Sequence, residues 1–554
     1  MENDLHNISR RQFINGTVKA GAVLGTGLVG MSLAACSNIP TPDRSNVIDV
    51  VDMEKIEPDY QLLYTSLQGI VNAYHPRIYL MGVNGSEPQT KSTDKLWLSD
   101  IVPMKPQEIS PTQMLSKYLK YINGLVVWDP AIAVHSQNVA TTLSGADKLL
   151  PVSPSMINSS QLKKYALPIK RDLRSLRFSD GLQAYKWALQ QMKSNNINVT
   201  GSPAWIGDIL DTSTVRAALR DWIVATKGFA FELYPEKDGQ LEFLTYLLGY
   251  FPHTSTIYGY LYYDDALYRK TGIAENEATS VSTISASNKA LVATNTATNL
   301  SVYPSFPATA KRPLWSVTTS TVKPDTTYVA FGVSDGDNVS YNLQRLRATW
   351  WDDPNRGHFP MAFSISPWLH KLAPGAFAYY TSTMTDNENL IMGPSGAGYA
   401  YPSDMPDLAK YLRTTKSLME ETGLEAIWIL DNNTILPSST HIIDQYISEL
   451  HPSAIIDLYG GFPSAQAFRP AVSVRHDTPI LNSVRGMGIS PTVNAIQTTA
   501  NFEPAYPGNV KFVFVALDTW ETTYETAIEI MKQLGAGYEV VNLATLCDLI
   551  LKYV

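Results

Sequence analysis

Two carboxylates stand two residues apart in Ser334-Asp335-Gly336-Asp337-Asn338, directly behind an apolar run from Tyr328 to Val333. A buried strand ending in paired acids can place one carboxyl to donate a proton and another to attack or to activate water, the division of labour that glycoside hydrolysis requires. The same pair could hold a divalent cation through oxygen ligands, but it lacks the longer spacing of an EF-hand loop. Asp431, Asp457 and Asp518 follow apolar runs in the same way, as do Trp368, Tyr459, Arg485 and Trp520. Asp335, Asp337, Asp431 and Asp518 are therefore the catalytic candidates. Trp368, Asp457, Tyr459, Arg485 and Trp520 are candidates for holding substrate, since aromatic faces stack on sugar rings. At each Asp the plain alternative is a residue that caps the next helix or braces a loop.

The elements that must position these groups are regular from about residue 325. Apolar runs recur at 328–333, 359–365, 390–392, 426–430, 454–456, 480–484, 512–517 and 538–541. Helical faces lie between several of them. One comprises Leu408, Tyr411, Leu412, Leu418 and Met419, with Ser403 as a cap and Gly423 as its stop. Another comprises Tyr524, Ala527, Ile528, Met531 and Leu534, stopped by Gly535. Continuous apolar strands bounded by amphipathic helices predict a parallel sheet covered by helices. Seven or eight such units fit a (β/α) barrel over residues 321–554, in which the strand ends converge on one mouth. An open doubly wound sheet is the competing fold.

Residues 46–320 predict an α/β domain. Tyr60, Leu63, Leu67, Ile70 and Val71 form a helical stripe, Ile78 to Leu80 and Leu125 to Trp128 read as strands, and Val215, Leu219, Trp222 and Ile223 mark another helix. The stretch 277–310, rich in Ser, Thr, Ala and Asn, reads as irregular structure approaching a domain boundary near residue 320, with Leu291-Val292-Ala293 and Leu300-Ser301-Val302 strand-like. No cofactor motif and no phosphate loop is present.

The sharpest local signature is Gly393-Pro394-Ser395-Gly396-Ala397-Gly398-Tyr399-Ala400-Tyr401-Pro402. Its glycines would let backbone approach a ligand, and Tyr399 and Tyr401 offer stacking faces and hydroxyls to a substrate; the alternative is a loop that only closes the barrel mouth. Gly396 to Pro402 resembles the motif that names the GxGYxYP family of glycoside hydrolases, an activity that is itself inferred for the family. Phe331 to Asn338, and Leu67-Gln68-Gly69-Ile70-Val71-Asn72 before Pro76-Arg77-Ile78-Tyr79-Leu80, are similar to that family too. The resemblance implies a lipid-anchored or secreted protein of two parts with a barrel-like C-terminal domain. It implies no particular substrate.

The N-terminus carries an export address. Ser9-Arg10-Arg11-Gln12-Phe13 is a twin-arginine pattern, Ala20 to Leu33 is apolar and Gly-rich, and Leu33-Ala34-Ala35-Cys36 is a lipoprotein cleavage box. A short membrane helix is the alternative, but the stretch is too short and Gly-rich to span a bilayer well. Residues 1–35 read as the signal peptide and 36–45 as a polar tether, with Cys36 lipidated and the chain anchored at the cell envelope, in the periplasm or at the outer membrane. Loss of residues 1–35 takes the net charge from −8 to −9, because Arg10, Arg11 and Lys19 leave with Glu2 and Asp4. An acidic chain argues against nucleic acid as a partner. Cys547, in an apolar helical run, reads as a buried inert thiol. The expected partner is carbohydrate, and no metal or cofactor is expected. Two rival readings stand beside the hydrolase: a carbohydrate-binding lipoprotein without turnover, and a metal-dependent polysaccharide deacetylase, for which the five histidines of the barrel half lack a His-x-x-x-His pair. No G-x-S-x-G elbow supports a serine hydrolase.

Overall fold

The computed structural model describes residues 46–554 except 84–89, 208–216, 253–255, 261–275, 309–313, 319–321, 432–436, 459–469 and 487. The signal peptide, the tether, Cys36 and Tyr459 lie outside the described residues.

The C-terminal half is the barrel-like α/β domain expected. Its parallel strands are β1 (Thr327–Val333), β2 (Met361–Ile365), β3 (Glu388–Met392), β4 (Ala426–Trp428), β5 (Ala454–Asp457), β6 (Thr478–Asn482), β7 (Lys511–Leu517) and β8 (Tyr538–Val540). They pair in the order β6-β5-β4-β3-β2-β1-β7, and an added strand, Val472–Arg475, runs antiparallel to β6. β8 pairs with the first half of β1 while β2 pairs with its second half. The sheet curls back on itself. Just past β6, the Val484 N–H donates to the Phe514 carbonyl at 2.9 Å, and the Ala516 N–H donates to the Val484 carbonyl at 2.8 Å, linking β6 to β7.

Strand alternation separates two cores, since successive side chains point to opposite faces. Tyr328, Ala330, Ala362, Ile391, Trp428, Ile456, Leu481, Phe512 and Phe514 fill the inside. Val329, Phe331, Phe363, Leu390, Ile427, Ile455 and Val513 face the helices. Both faces being buried is why each strand reads as an unbroken apolar run. The last helix, Leu543–Tyr553, contributes Leu546, Cys547, Leu549 and Ile550 to the inner core. Cys547 is accordingly buried, and desolvation raises its thiol well above the ordinary range. Gly423 ends helix Leu408–Thr422 with a left-handed C-cap as expected, but its N-cap is Asp407, which accepts from the Lys410 N–H at 3.1 Å. Ser403 instead sits in the preceding single turn, Pro402–Asp404.

The region expected as one α/β domain contains three separate parallel sheets. Val47–Asp52 is flanked by Ile78–Met81 and Lys105–Glu108; Gly124–Val127 by Leu149–Val152 and Ile169–Asp172; and a third sheet runs Leu291–Ala293, Ile257–Tyr260, Pro203–Ile206, Phe229–Phe231. The stretch 277–310 is more ordered than its composition suggests. It holds helix Asn276–Ala286 and strand Leu291–Ala293, while 300–302 is a turn. Several of its polar residues, Thr294, Thr296, Thr298, Asn299 and Ser301 among them, are buried and hydrogen-bonded, the condition for placing polar groups in a core. Asn299 Oδ1 accepts from the Gln68 amide at 2.7 Å and its Nδ2 donates to the Leu80 carbonyl at 2.8 Å. The Thr298 hydroxyl donates to Asp94 at 2.7 Å. Thr296 ties the region to the barrel, its N–H donating to the Ser340 hydroxyl at 3.1 Å and its carbonyl accepting from Gln344 at 2.7 Å.

Candidate active site at the barrel mouth

Strand β1 ends at Val333, and the chain turns at once. Asp335 adopts a left-handed backbone (φ 65°), which Asp tolerates better than most residues. The turn separates the two acids: Asp335 is partly exposed, whereas Asp337 is 9% exposed. Asn338 caps the following helix, Val339–Leu343, by accepting from the Tyr341 N–H at 3.0 Å. Burial pushes the Asp337 carboxyl well above the usual carboxylate range, and the nearby charges of Asp335 and Glu277 push the same way. The mouth therefore holds a buried acid whose carboxyl is raised in pKa beside a more exposed one, a pairing of unlike carboxyls suited to acid–base work.

The loop after β7 supplies the aromatic wall. The Trp520 indole N–H donates to Asp335. The ring is 39% exposed, stacks under the Arg345 guanidinium at 5.1 Å and lies 6.1 Å from the Tyr341 ring. Arg345 also holds the loop by donating to the Thr519 and Trp520 carbonyls at 3.0 and 2.7 Å. Asp518 forms an ion pair with Arg485 and accepts from the Trp520 N–H at 2.7 Å, so these two charged candidates, from the ends of β7 and β6, brace the same wall.

Two residues that sequence reasoning missed complete the cluster from the N-terminal half. Glu277 lies in the first turn of helix Asn276–Ala286, and Tyr260 is the last residue of strand Ile257–Tyr260. Tyr260 hydrogen-bonds Glu277, and the Tyr399 hydroxyl donates to Glu277 at 2.8 Å. Burial, Glu277, Asp337 and Asp335 together hold the Tyr260 phenol far above its ordinary range. Among the described residues, no group of three or more His, Cys, Asp or Glu side chains could hold a metal ion.

Three successive models of one family match the chain: "GxGYxYP_N second domain" over residues 122–195, "GxGYxYP third domain" over 208–305, and "GxGYxYP putative glycoside hydrolase C-terminal domain" over 325–551. The chain belongs to the GxGYxYP family. A solved structure described as a putative hydrolase from Bacteroides thetaiotaomicron VPI-5482 shares the fold, with a TM-score of 0.73 at 21% identity, over 92% of this chain and 95% of that one. No curated protein matches.

The GxGYxYP loop itself takes a different role from the one expected of its tyrosines. The Tyr399 backbone pairs with the edge of the third sheet, its N–H donating to the Leu291 carbonyl at 2.7 Å and its carbonyl accepting from the Leu291 N–H at 2.9 Å. That pairing turns both rings into a core with Leu291, Val281 and Ile284. Tyr399 and Tyr401 are 6% and 4% exposed, which corrects the expectation that they present faces to substrate. Gly398 is required by this approach to Leu291, and Gly396 by close packing against Thr415 of helix Leu408–Thr422. Gly396 and Gly398 have φ of 137° and 129°, and a Cβ on them would lie 2.6 Å from the Thr415 hydroxyl and 2.8 Å from the Leu291 carbonyl oxygen.

The remaining candidates divide. Trp368 packs at the side of the loop, its indole N–H donating to the Ala397 carbonyl at 2.8 Å. Asp431 accepts from the Ser403 N–H and hydroxyl at 3.1 and 2.6 Å, bracing the turn after the GxGYxYP loop. Asp457 is buried, accepts from Ser438 N–H and hydroxyl and from Leu458 N–H at 2.8, 2.9 and 2.9 Å, and fixes the entry to helix Thr440–Leu450. Its oxygens point into its own loop, which corrects its assignment to substrate. Glu277 and Tyr260 left no motif to find, because they sit in the polar stretch and at a short strand end, 58 and 75 positions before Asp335.

Proposed function

We propose that this protein is a glycoside hydrolase in which Asp337 is the proton donor and Asp335 the carboxylate that attacks the sugar or activates water. The observation that carries this reading is the burial of Asp337 beside Asp335 and Glu277, which raises its carboxyl well above the usual carboxylate range. In the reaction the Asp337 proton passes to the glycosidic oxygen as its bond to the anomeric carbon breaks. Water supplies the new oxygen on that carbon and returns a proton to the enzyme. Trp520, exposed beside Asp335, offers the face on which a sugar ring stacks. Asp518 and Arg485 hold that wall in place, and Asp431 and Trp368 order the neighbouring loops. The proposal extends to an exported lipoprotein, anchored through Cys36 at the cell envelope and acting on glycan there. No helix among the described residues is long and apolar enough to cross a membrane.

The test is turnover on a broad panel of glycans, envelope polysaccharides included, by the wild-type protein, D337N and D335N. Released reducing sugar that both variants abolish, while glycan binding survives, supports the reading. Equal binding by all three with no sugar released by wild type leaves a carbohydrate-binding lipoprotein. Released acetate instead points to a deacetylase.

A further inference from the structure

A small cavity lies where the third sheet of the N-terminal half meets the helix that follows the GxGYxYP loop. Its volume is about 40 Å³, and Thr256, Lys289, Ala290, Trp368, Ala397 and Lys410 are among the residues that line it. That is room for about three water molecules or one small polyatomic ion. Lys289 is 2% exposed, and its ammonium donates to the Phe251 and Pro252 carbonyls at 3.2 and 2.8 Å. An ammonium has three N–H groups, so these bonds leave one unused. Lys410 comes from the first turn of helix Leu408–Thr422, on the barrel side. Neither lysine pairs with a carboxylate among the described residues. Asp407 also borders the cavity, but its carboxylate caps the helix, accepting from the Lys410 N–H at 3.1 Å. The Thr256 hydroxyl, on a residue 9% exposed, has no hydrogen-bond partner among the described residues.

We infer that this cavity is a binding site for a tetrahedral oxyanion, a phosphate or sulfate group, held by the ammonium groups of Lys289 and Lys410 and the hydroxyl of Thr256. A buried cation without a counter-ion is costly, and a second cation at the same small space adds to the cost. Burial lowers the Lys289 ammonium to about 8, and the like charge of Lys410 pushes the same way. An anion between the two lysines removes both penalties and takes up the unused donors through charge-assisted hydrogen bonds. Three donors from separate stretches of chain suit a group with several oxygens around one centre. The anion sits against the GxGYxYP loop, because Ala397 and Trp368, joined by the indole-to-carbonyl bond of 2.8 Å, form another wall. It also bridges the two halves of the molecule, with Lys289 and Thr256 just before strands of the third sheet and Lys410 on a barrel helix. The competing role for Lys289 is to staple the Phe251 and Pro252 carbonyls; that role gives Lys410 and Thr256 nothing to do. Two sources carry the required chemistry: a free inorganic ion, and an ester group on a glycan. The inference is independent of whether the mouth cleaves a glycan.

The experiment is a calorimetric titration of the full chain with inorganic phosphate and with sulfate, at constant ionic strength, for the wild type, K410M and K289M. Saturable binding of one ion per chain is expected in the wild type. K410M should weaken it by about 10-fold or more, the worth of one hydrogen bond to a charged group. Lys410 is partly exposed on a helix, so K410M serves if K289M, which alters a buried residue, folds poorly. Glucose 6-phosphate and glucose 6-sulfate then distinguish the sources. An ester that binds more tightly than its free ion, and loses that binding in K410M, assigns the cavity to a substituent on a glycan. A free ion that binds as tightly or more tightly assigns it to an inorganic anion. No saturable binding of any of the four by the wild type, or the same affinity in K410M, overturns the inference.

Discussion

Trp520 and Asp335 meet across the barrel mouth, the indole N–H from the loop after β7 donating to the carboxylate from the loop after β1. One ring thereby does two things: it orients the more exposed acid of the pair and leaves a face open to solvent. Replacing it separates these roles. W520F keeps a face but loses the donor, so kcat should fall with KM changed little. W520A loses both, and KM should also rise, by about 3- to 10-fold for the lost aromatic contact. Steady-state kinetics on a cleaved glycan reads both. Unchanged constants in W520A would remove the ring from the site.

The proton donor carries the larger effect. General acid catalysis contributes about 10²–10⁴-fold, so D337N should lose at least that much in kcat while folding normally. Asp337 is buried and its carboxyl is pushed well above the usual carboxylate range, and the amide is close to the neutral acid in shape and charge. D337N should match or exceed the wild type in thermal stability at pH 8, where ionising the buried carboxyl works against the fold. A marked loss of stability instead would mean that the carboxylate is needed structurally.

The tyrosines of the named loop invert the expectation their sequence suggests. A solvent-facing Tyr399 predicts that Y399A weakens substrate binding and leaves stability alone. With the ring 6% exposed in the core, Y399A should cost about 3–5 kcal/mol of stability, the range for emptying a buried aromatic site. Y399F should cost about 1 kcal/mol, for one lost hydrogen bond to Glu277. Denaturant unfolding of the two variants distinguishes a core ring from a surface one.

These cases show what a linear sequence exposes. The barrel was legible because strands covered on both faces must be apolar throughout, so β1 to β8 stand out as runs. Asp335, Asp337, Asp518 and Trp520 were legible for the same reason, since strand ends in a barrel share a mouth. Tyr399 and Tyr401 were not, because an aromatic ring that packs in a core and one that stacks on a sugar look alike in sequence. Glu277 was hidden more thoroughly. It meets the named loop through the Tyr399 hydroxyl, and Tyr399 in turn pairs its backbone with Leu291, a contact across 108 positions; it also begins a stretch whose Ser, Thr and Asn content looks solvent-facing. That stretch is buried because Asn299, Thr298 and Ser301 find polar partners inside, which periodicity cannot reveal.

The same buried network makes stability depend on pH in a direction that can be worked out. Burial pushes Asp94 up to about 7 and Asp221 up to about 6, each from an ordinary 3.8, and the charge of Asp221 adds to the rise at Asp94. Their hydrogen bonds from Thr298 and Ser301 oppose the shift without cancelling it. A carboxyl whose folded value lies above its unfolded one binds more protons in the folded state throughout that window. The stabilisation from these two neutral acids is therefore fully present below about pH 4 and lost as the pH rises through 6 and 7. Their contribution should make the melting temperature decline between about pH 5 and pH 8. D94N, which keeps an acceptor for Thr298 but cannot ionise, should flatten that decline and melt higher than wild type at pH 8. If D94N and the wild-type protein show parallel melting curves across this range, Asp94 is not the buried proton-holder that its surroundings imply.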